Sequence, residues 1–101
     1  MQFDVHEYNE SGYVRLIVIV QSSIVDTPGR YMVIPLANND DFSGRFIKDL
    51  FPILTVNGER FRLMTPEVVS IPENLIGDKV GTLVGDETKI KDALNLLFWG
   101  I

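Results

Sequence analysis

A mainly β fold with one C-terminal α-helix is the fold class that the sequence predicts. Three observations lead to it: short runs rich in β-branched residues fill most of the chain, Asn57-Gly58 separates two such runs, and a helical apolar period follows Asp86. Alternation of apolar residues is typical of half-buried strands, and an apolar period of three to four residues is typical of an amphipathic helix. Six or seven short strands followed by one helix indicate a small barrel-like antiparallel sheet.

Apolar and β-branched residues in the first third of the chain predict three strands, at residues 2–8, 13–20 and 31–36. Turns rich in Gly, Asn, Pro and Asp separate these strands, at residues 9–12 and 26–29. Pro35 has no N–H, so we expect it at an edge, a bulge or the end of its strand. The polar residues 37–44 are expected to form an exposed loop, and residues 47–50 fit either a helical turn or a strand.

A β-hairpin is predicted over residues 52–64, because Asn57-Gly58 suits a two-residue type I′ turn in which both central residues need positive φ. In this register Leu54 faces Phe61 and Val56 faces Glu59. The face that we expect in the core consists of Leu54, Val56, Phe61 and Leu63. The other face consists of Thr55, Arg60 and Arg62.

The remaining chain predicts a short strand at residues 68–71, an irregular segment at residues 73–85 and a final helix. Asp86 or Gly85 can cap this helix, and acidic residues favour its positive N-terminal end. The expected buried stripe follows the helical period and consists of Ile90, Ala93, Leu94, Leu97 and Phe98. The opposite face carries Lys89, Asp92 and Asn95.

The composition excludes several classes of protein. The chain has 101 residues, a formal net charge of −5, one His and no Cys, which fits a single domain over residues 1–101. Disulfide scaffolds, thiolate zinc sites and cysteine nucleophiles are therefore excluded, and the negative charge argues against non-specific nucleic-acid binding. The sequence lacks a basic-then-apolar leader and an apolar run near the roughly 20 residues needed to span a bilayer. We expect a cytoplasmic protein with no cofactor and no metal.

Three polar or glycine-rich features invite a chemical interpretation, and each has a simpler one. His6 lies alone on the predicted polar face of the first strand, which favours a plain surface histidine. Asp40-Asp41 lacks the spacing of a calcium loop, which favours two solvated carboxylates. The glycines at 77, 81 and 85 lack the Lys-Ser or Lys-Thr of a phosphate-binding loop, which favours irregular backbone.

The segment Phe98-Trp99-Gly100-Ile101 is unusually apolar for the end of a chain. Two interpretations stay open at this point. Phe98 and Trp99 could fold back onto the core, or Trp99 could project as an aromatic anchor, since Trp is enriched at binding hot spots. Trp99 is rotated about 100° from Phe98 around the helix, so the two need not share a face. Gly100 would let a partner's backbone approach closely.

Several segments resemble the CcdB toxin family, namely residues 1–3, 20–22, 26–30, 32–36, 63–65 and 90–101. The pairing of residues 26–37, Asp-Thr-Pro-Gly-Arg-x-Met-Val-Ile-Pro-Leu-Ala, with the final Phe-Trp-Gly-Ile is the most specific part, and the resemblance covers the whole chain. It implies a homodimer with an SH3-like small barrel of the CcdB/MazF type, a small accessory sheet and a C-terminal helix.

The resemblance also implies a function. CcdB proteins are the toxins of type II toxin–antitoxin pairs. They are not enzymes, and they bind the A subunit of DNA gyrase and trap the cleaved gyrase–DNA complex. A CcdA-like antitoxin neutralises the toxin, and the two proteins together bind operator DNA and repress their own operon.

The family's gyrase contacts carry over position by position. Trp99, Gly100 and Ile101 match the family's last three residues, and in the family the Trp of each protomer stacks on gyrase arginines. The other matching positions are Phe98, Asn95, Ser22 and Ile24, and Val25 stands where the family has Ile.

Departures from the family pattern lie elsewhere. Residues 9–14 and the more acidic residues 38–44 differ, and both segments face the antitoxin in the family; Phe61 replaces a Trp. Two alternatives to gyrase poisoning stay open. One is a MazF-type endoribonuclease that uses Arg60 and Arg62 on the scissile phosphate, although no acid–base group accompanies them. The other is a non-toxic homologue that only binds the antitoxin.

Overall fold

The computed structural model of the chain describes residues 1–10, 13–39 and 46–101. It contains seven strands, β1 Asp4–Glu10, β2 Tyr13–Ile19, β3 Arg30–Asn38, β4 Ile53–Val56, β5 Glu59–Leu63, β6 Val69–Pro72 and β7 Ile76–Thr82. One helix follows, α1 Glu87–Trp99. Short 3₁₀ turns lie at Lys48–Leu50, Thr65–Glu67, Glu73–Leu75 and Val84–Asp86. The predicted fold class, mainly β with one C-terminal helix, is confirmed.

The strands form one antiparallel sheet in the order β4-β5-β3-β2-β1-β7, and β6 branches from this path by pairing with the first part of β3. The sheet curls until its two ends meet. The Asn57 side-chain amide, at the tip of the β4–β5 hairpin, donates to the Val80 carbonyl of β7 at 2.7 Å. Because a strongly twisted sheet buries its concave face by curling on itself, this contact makes the sheet barrel-like, as predicted.

Pro35 lies inside β3, at the point where this strand changes partner. Along the edge that faces away from β2, β3 pairs first with β6, up to Val33, and then with β5, from Leu36 onward. The Pro35 carbonyl faces this junction and accepts a bond from Met64 N–H at 3.0 Å. The missing N–H of proline therefore removes no ladder bond, because neither partner strand reaches it.

Both faces of the sheet are apolar at its centre. Val18, Ile34 and Leu63 belong to the main core, which α1 closes with Ile90 and Ala93. The residues that alternate with them form a second cluster on the other face, made of Ile17, Ile19, Val33 and Ile71. This explains why residues 16–20 are continuously apolar, since a strand that is covered on both faces has no polar alternation.

The β4–β5 hairpin has the predicted turn and register. Asn57 and Gly58 have φ values of 51° and 85°, and Leu54 pairs with Phe61 as Val56 does with Glu59. Leu54, Val56 and Leu63 are buried, and Phe61 is half-buried against the main core.

Most element boundaries differ from the predictions by one or two residues, and three differences affect an interpretation. β1 begins at Asp4 because Phe3 has a positive φ of 69°. β3 continues through Asn38, so the predicted loop at 37–44 begins too early. Residues 48–50 form a 3₁₀ turn, which decides between the two interpretations of this segment. The predicted turn at residues 9–12 begins too early, because β1 continues through Glu10. Residues 11–12 and Asp40-Asp41 lie outside the described residues.

The prediction of irregular backbone at residues 73–85 is wrong, because this segment contains β7. β7 pairs with β1, but two register shifts interrupt the pairing, which removes the two-residue alternation that identifies a strand in a sequence. Its glycines allow close approach between strands. A Cβ added at Gly77 would lie 3.0 Å from the Glu7 carbonyl oxygen, and one at Gly81 would lie 3.3 Å from Cγ1 of Val56.

Replacing Gly77 by Ala is expected to lower the free energy of unfolding by about 1–3 kcal/mol, because the added methyl must displace the β1 backbone. Gly85→Ala is the matched control, since no described atom lies within 4 Å of its added Cβ. We expect this control to change stability by no more than about 0.5 kcal/mol. Urea unfolding of both variants measures the difference, and equal stability would contradict the close approach at Gly77.

The Thr65 side chain is fully buried, and within the described part of the chain its hydroxyl has no hydrogen-bond partner. A buried hydroxyl without a partner costs about 1–3 kcal/mol of desolvation. We expect Thr65→Val to raise the free energy of unfolding by about 1 kcal/mol in urea unfolding. Thr55→Val, at an exposed position of β4, should have a smaller effect. A destabilised Thr65→Val variant would mean that the hydroxyl is bonded.

The helix α1 docks through its first half. Ile90 and Ala93 are its fully buried residues, while Leu94 and Leu97 are half-buried. Asp86 is the N-cap residue, as one of the two predicted candidates. No helix in the described part of the chain has the length and apolar character needed to cross a membrane.

Candidate functional site

The last turn of α1 carries large apolar side chains into solvent. The exposed fractions of Phe98, Trp99 and Ile101 are 59%, 70% and 84%. The prediction that Phe98 belongs to the buried stripe is wrong, because the buried residues of α1 lie in its first half and the last turn extends beyond them. Of the two interpretations of this segment, the structure supports projection and not folding back. The Phe98 and Trp99 rings contact each other instead, with centroids 5.7 Å apart.

Gly100 ends the helix in the left-handed conformation, with φ 72° and ψ 22°. Its N–H donates to the Leu96 carbonyl at 3.0 Å, which caps the helix. A residue with a Cβ is strained at this φ, although open space surrounds the position. Gly100 therefore ends the helix immediately after Trp99 and sets the direction in which Ile101 leaves it.

A second exposed apolar group lies in the segment between β2 and β3. Ile24 is 94% exposed and Val25 is 51% exposed, and Ser22 is half-buried beside them. The Val25 N–H donates to the Ser22 carbonyl at 3.0 Å, which closes a turn around Ser23 and Ile24. Large apolar side chains in contact with water favour association with a partner surface.

The eight residues that the resemblance assigns to gyrase binding thus fall into two groups, Asn95 with Phe98 to Ile101 at the end of α1, and Ser22, Ile24 and Val25 in the segment after β2. Seven of the eight residues are exposed, and Ser22 is half-buried. Among the described residues, no hydrogen bond, ion pair or ring contact joins the two groups. Each group could therefore contact a partner separately.

Different depressions border the two groups. Ile101 and Leu96 line a cleft of about 740 Å³ between α1 and the segment around β4. Its charged lining residues are Lys48, Arg62, Lys89, Asp49 and Asp92. Ser22 and Val25 line a smaller pocket of about 230 Å³, next to Gln21 and Tyr31. The cationic residues of the larger cleft were not predicted from the sequence, because they come from three segments that only the tertiary fold brings together.

The two arginines of the hairpin occupy different surroundings. Arg62 lines the larger cleft, where its Nη1 donates to the Phe51 carbonyl at 2.8 Å and its guanidinium lies 4.8 Å from the centre of the Phe46 ring. Arg60 is exposed and lines a separate depression beside Gly58. The sequence places both on one face of a strand, and in the structure they border different depressions.

His6 is half-buried, and its ring is bonded to the backbone instead of projecting freely from the predicted polar face. Its Nδ1 lies 3.0 Å from the Gly77 carbonyl of β7 and donates a hydrogen bond to it. The imidazole thus links β1 to β7 beside a register shift. This is a structural role.

Gln21 contributes to the conformation of the second group, and the sequence did not predict this role. Its side-chain amide bonds across the segment that carries Ile24 and Val25. A single Gln between a strand and a turn carries no signal for such a role, since only the folded loop brings its partners within reach.

Comparison with known proteins agrees with this architecture. The chain is similar to the Mycobacterium tuberculosis toxin MazF-mt6, with a TM-score of 0.75 and 15% sequence identity over 94% of this chain and 95% of that chain. It is also similar to an endoribonuclease from a mycobacterial species solved in complex with its cognate antitoxin, with a TM-score of 0.70 and 11% identity over 94% of this chain and 90% of that chain. These likenesses show a shared fold. The model of the CcdB protein family matches residues 2–100, nearly the whole sequence, and the chain therefore belongs to the CcdB family.

Proposed function

We propose that this protein is the toxin of a type II toxin–antitoxin system and acts as a non-enzymatic poison of DNA gyrase. In this proposal it binds the A subunit of gyrase and traps the complex in which the DNA is cleaved. The observation that carries the proposal is the exposure of Phe98, Trp99 and Ile101 at the end of α1, at the positions that match the family's gyrase contacts.

The physical basis is an aromatic anchor that is ready to bind. An exposed Trp offers a large apolar surface and a π face to an arginine of the partner, and such a contact is worth about 1–2 kcal/mol once water is excluded. A homodimer would present the anchor twice to a two-fold symmetric target. Binding at two related places would hold one gyrase conformation without any covalent chemistry by the toxin.

The proposal includes a CcdA-like antitoxin as partner, with operator DNA bound only through the toxin–antitoxin complex. Family membership supports this part, as does the similar endoribonuclease, which was solved in complex with its cognate antitoxin. Of the two segments that face the antitoxin in the family, residues 9–14 and 38–44, a large part lies outside the described residues.

A MazF-type endoribonuclease is the second candidate, and the shared fold favours it. The surroundings of the two arginines give it less support, since Arg62 is bonded to the Phe51 carbonyl and Arg60 lines another depression. Phosphodiester cleavage needs a positioned acid or base beside the group that binds the phosphate.

A plasmid cleavage assay tests the proposal. Purified gyrase, ATP and supercoiled plasmid are incubated with or without the protein and then treated with detergent and protease. Linear plasmid that forms only when the protein is present would support gyrase poisoning. If no linear plasmid forms, the proposal is wrong; cleavage of RNA by the same preparation would then establish the endoribonuclease, and antitoxin binding without either activity would establish an antitoxin-only homologue.

A further inference from the structure

The loop of residues 22–27 presents apolar side chains without apolar packing to hold it. Every residue from 23 to 30 is exposed, and Ile24 is the most exposed large apolar residue among those described. A loop that buries so little surface has to be ordered by polar interactions or remain variable in conformation. Its hydrogen bonds therefore decide how Ile24 and Val25 are presented.

A single side chain, Gln21, ties two points of the loop to β3. Gln21 Nε2 donates to the Val25 carbonyl at 2.9 Å and to Thr27 Oγ1 at 2.8 Å. Its Oε1 accepts from the Met32 N–H of β3 at 3.1 Å. Thr27 Oγ1 in turn donates to the Arg30 carbonyl at 2.8 Å. In this assignment each hydrogen is used once.

The orientation of the Gln21 amide follows from its partners. Met32 offers a backbone N–H, which can only donate, so the amide oxygen must face β3 and the amide nitrogen must face the loop. The Gln21 amide thus connects Val25 and Thr27 of the loop to Met32 of β3. Gln2 supports the base of the loop from the other side, since its Nε2 donates to the Val20 carbonyl at 3.0 Å.

We propose that Gln21 is a positioning residue, whose amide holds the 22–27 loop in the conformation that presents Ile24 and Val25 to the target. The inference rests on the proposed function for the identity of the target, the gyrase A subunit. Gln21 acts through the loop and not by contact with the target. A loop that is already ordered loses less conformational entropy when it binds, which strengthens binding without any added contact.

The first arm of the test examines the free protein. Gln21→Met keeps the approximate length of the side chain but removes the amide, and Thr27→Val keeps the shape but removes the hydroxyl. The Val25 amide, which donates to Ser22 and not to Gln21, reports on the order of the loop. We expect its hydrogen exchange to become about 10-fold faster in both variants, while the amides of the core strands exchange as before. Thr27→Ser, which keeps the hydroxyl, should exchange its Val25 amide as slowly as the unaltered protein.

The second arm measures affinity for the gyrase A subunit. We expect both variants to bind about 10-fold more weakly than the unaltered protein, with Thr27→Ser restoring affinity. In a background of Ile24→Ala with Val25→Ala, adding Gln21→Met should have no further effect, because a positioning residue acts only through the side chains that it positions. A general structural defect would still weaken binding in that background.

The outcomes separate this inference from the proposed function. If the unaltered protein binds the A subunit and Gln21→Met binds equally well, or if the Val25 amide exchanges at the same rate in both, the role of Gln21 is overturned and the proposed function stands. If the unaltered protein does not bind the A subunit, the proposed function is overturned and the role of Gln21 toward gyrase with it.

Discussion

Removal of residues 99–101 is expected to abolish trapping of the gyrase–DNA cleavage complex and to leave the fold intact. Trp99 and Ile101 are exposed, and the residues that dock α1, Ile90 and Ala93, are retained in the shortened chain. Loss of an aromatic anchor at a binding hot spot costs about 2–4 kcal/mol, so we expect about 30-fold to 1,000-fold more protein to be needed for the same amount of linear plasmid. The melting temperature should change by no more than about 2 °C, since no buried side chain is removed.

Two further variants sharpen this experiment. Trp99→Ala should reproduce most of the loss, because the ring is the anchor. Lys91→Ala removes an exposed side chain from the same helix, whose ion pair with Glu87 has an N–O distance of 2.6 Å, and it should leave plasmid cleavage unchanged. A shortened protein that still produces linear plasmid at the original concentration would show that the end of α1 is not the gyrase-binding surface.

Ile90→Ala is expected to cause the largest loss of stability among single changes in the helix. Ile90 is fully buried in the main core beside Ala93, so shortening it removes apolar contacts and leaves a cavity. Such a substitution costs about 2–5 kcal/mol, and we expect a value near 3 kcal/mol. For a domain of this size the melting temperature should fall by about 15 °C.

Far-ultraviolet circular dichroism in urea is the suitable measurement, because Trp99 is exposed in the native protein and its fluorescence would change little on unfolding. Thr88→Ala, at an exposed position of the same helix, is the control and should change stability by no more than about 0.5 kcal/mol. Equal stability of the two variants would mean that α1 is not docked through Ile90.

Local sequence signals predicted the hairpin and the helix, because both are specified by neighbours along the chain. Asn57-Gly58 determines the turn and with it the register of Leu54 against Phe61. The strand β7 escaped prediction because its spacing is interrupted by two register shifts against β1, and Gly77 is needed for the approach of the Glu7 backbone and not for irregular structure. The residues next to Gly77 in the sequence give no indication that a glycine is required there, because the requirement comes from Glu7.

The candidate site shows the same division. The residues at the end of the chain could be selected from the sequence through the family resemblance, but whether Phe98 and Trp99 fold back depends on how far α1 extends beyond the core. The folded chain is needed to answer this question, because Phe98 follows the apolar period of the helix and still lies in solvent.

The fold class, the type I′ hairpin and the membership in the CcdB family could be inferred from the sequence, since they follow from local periodicity, turn chemistry and matching segments. The pairing of β7, the different depressions that Arg60 and Arg62 border and the hydrogen bonds of Gln21 across its loop follow from the tertiary structure. Each of these depends on which distant segments lie within a few ångströms of one another. The curling of the sheet decides which distant segments come into contact, and residue spacing along the chain does not reveal this.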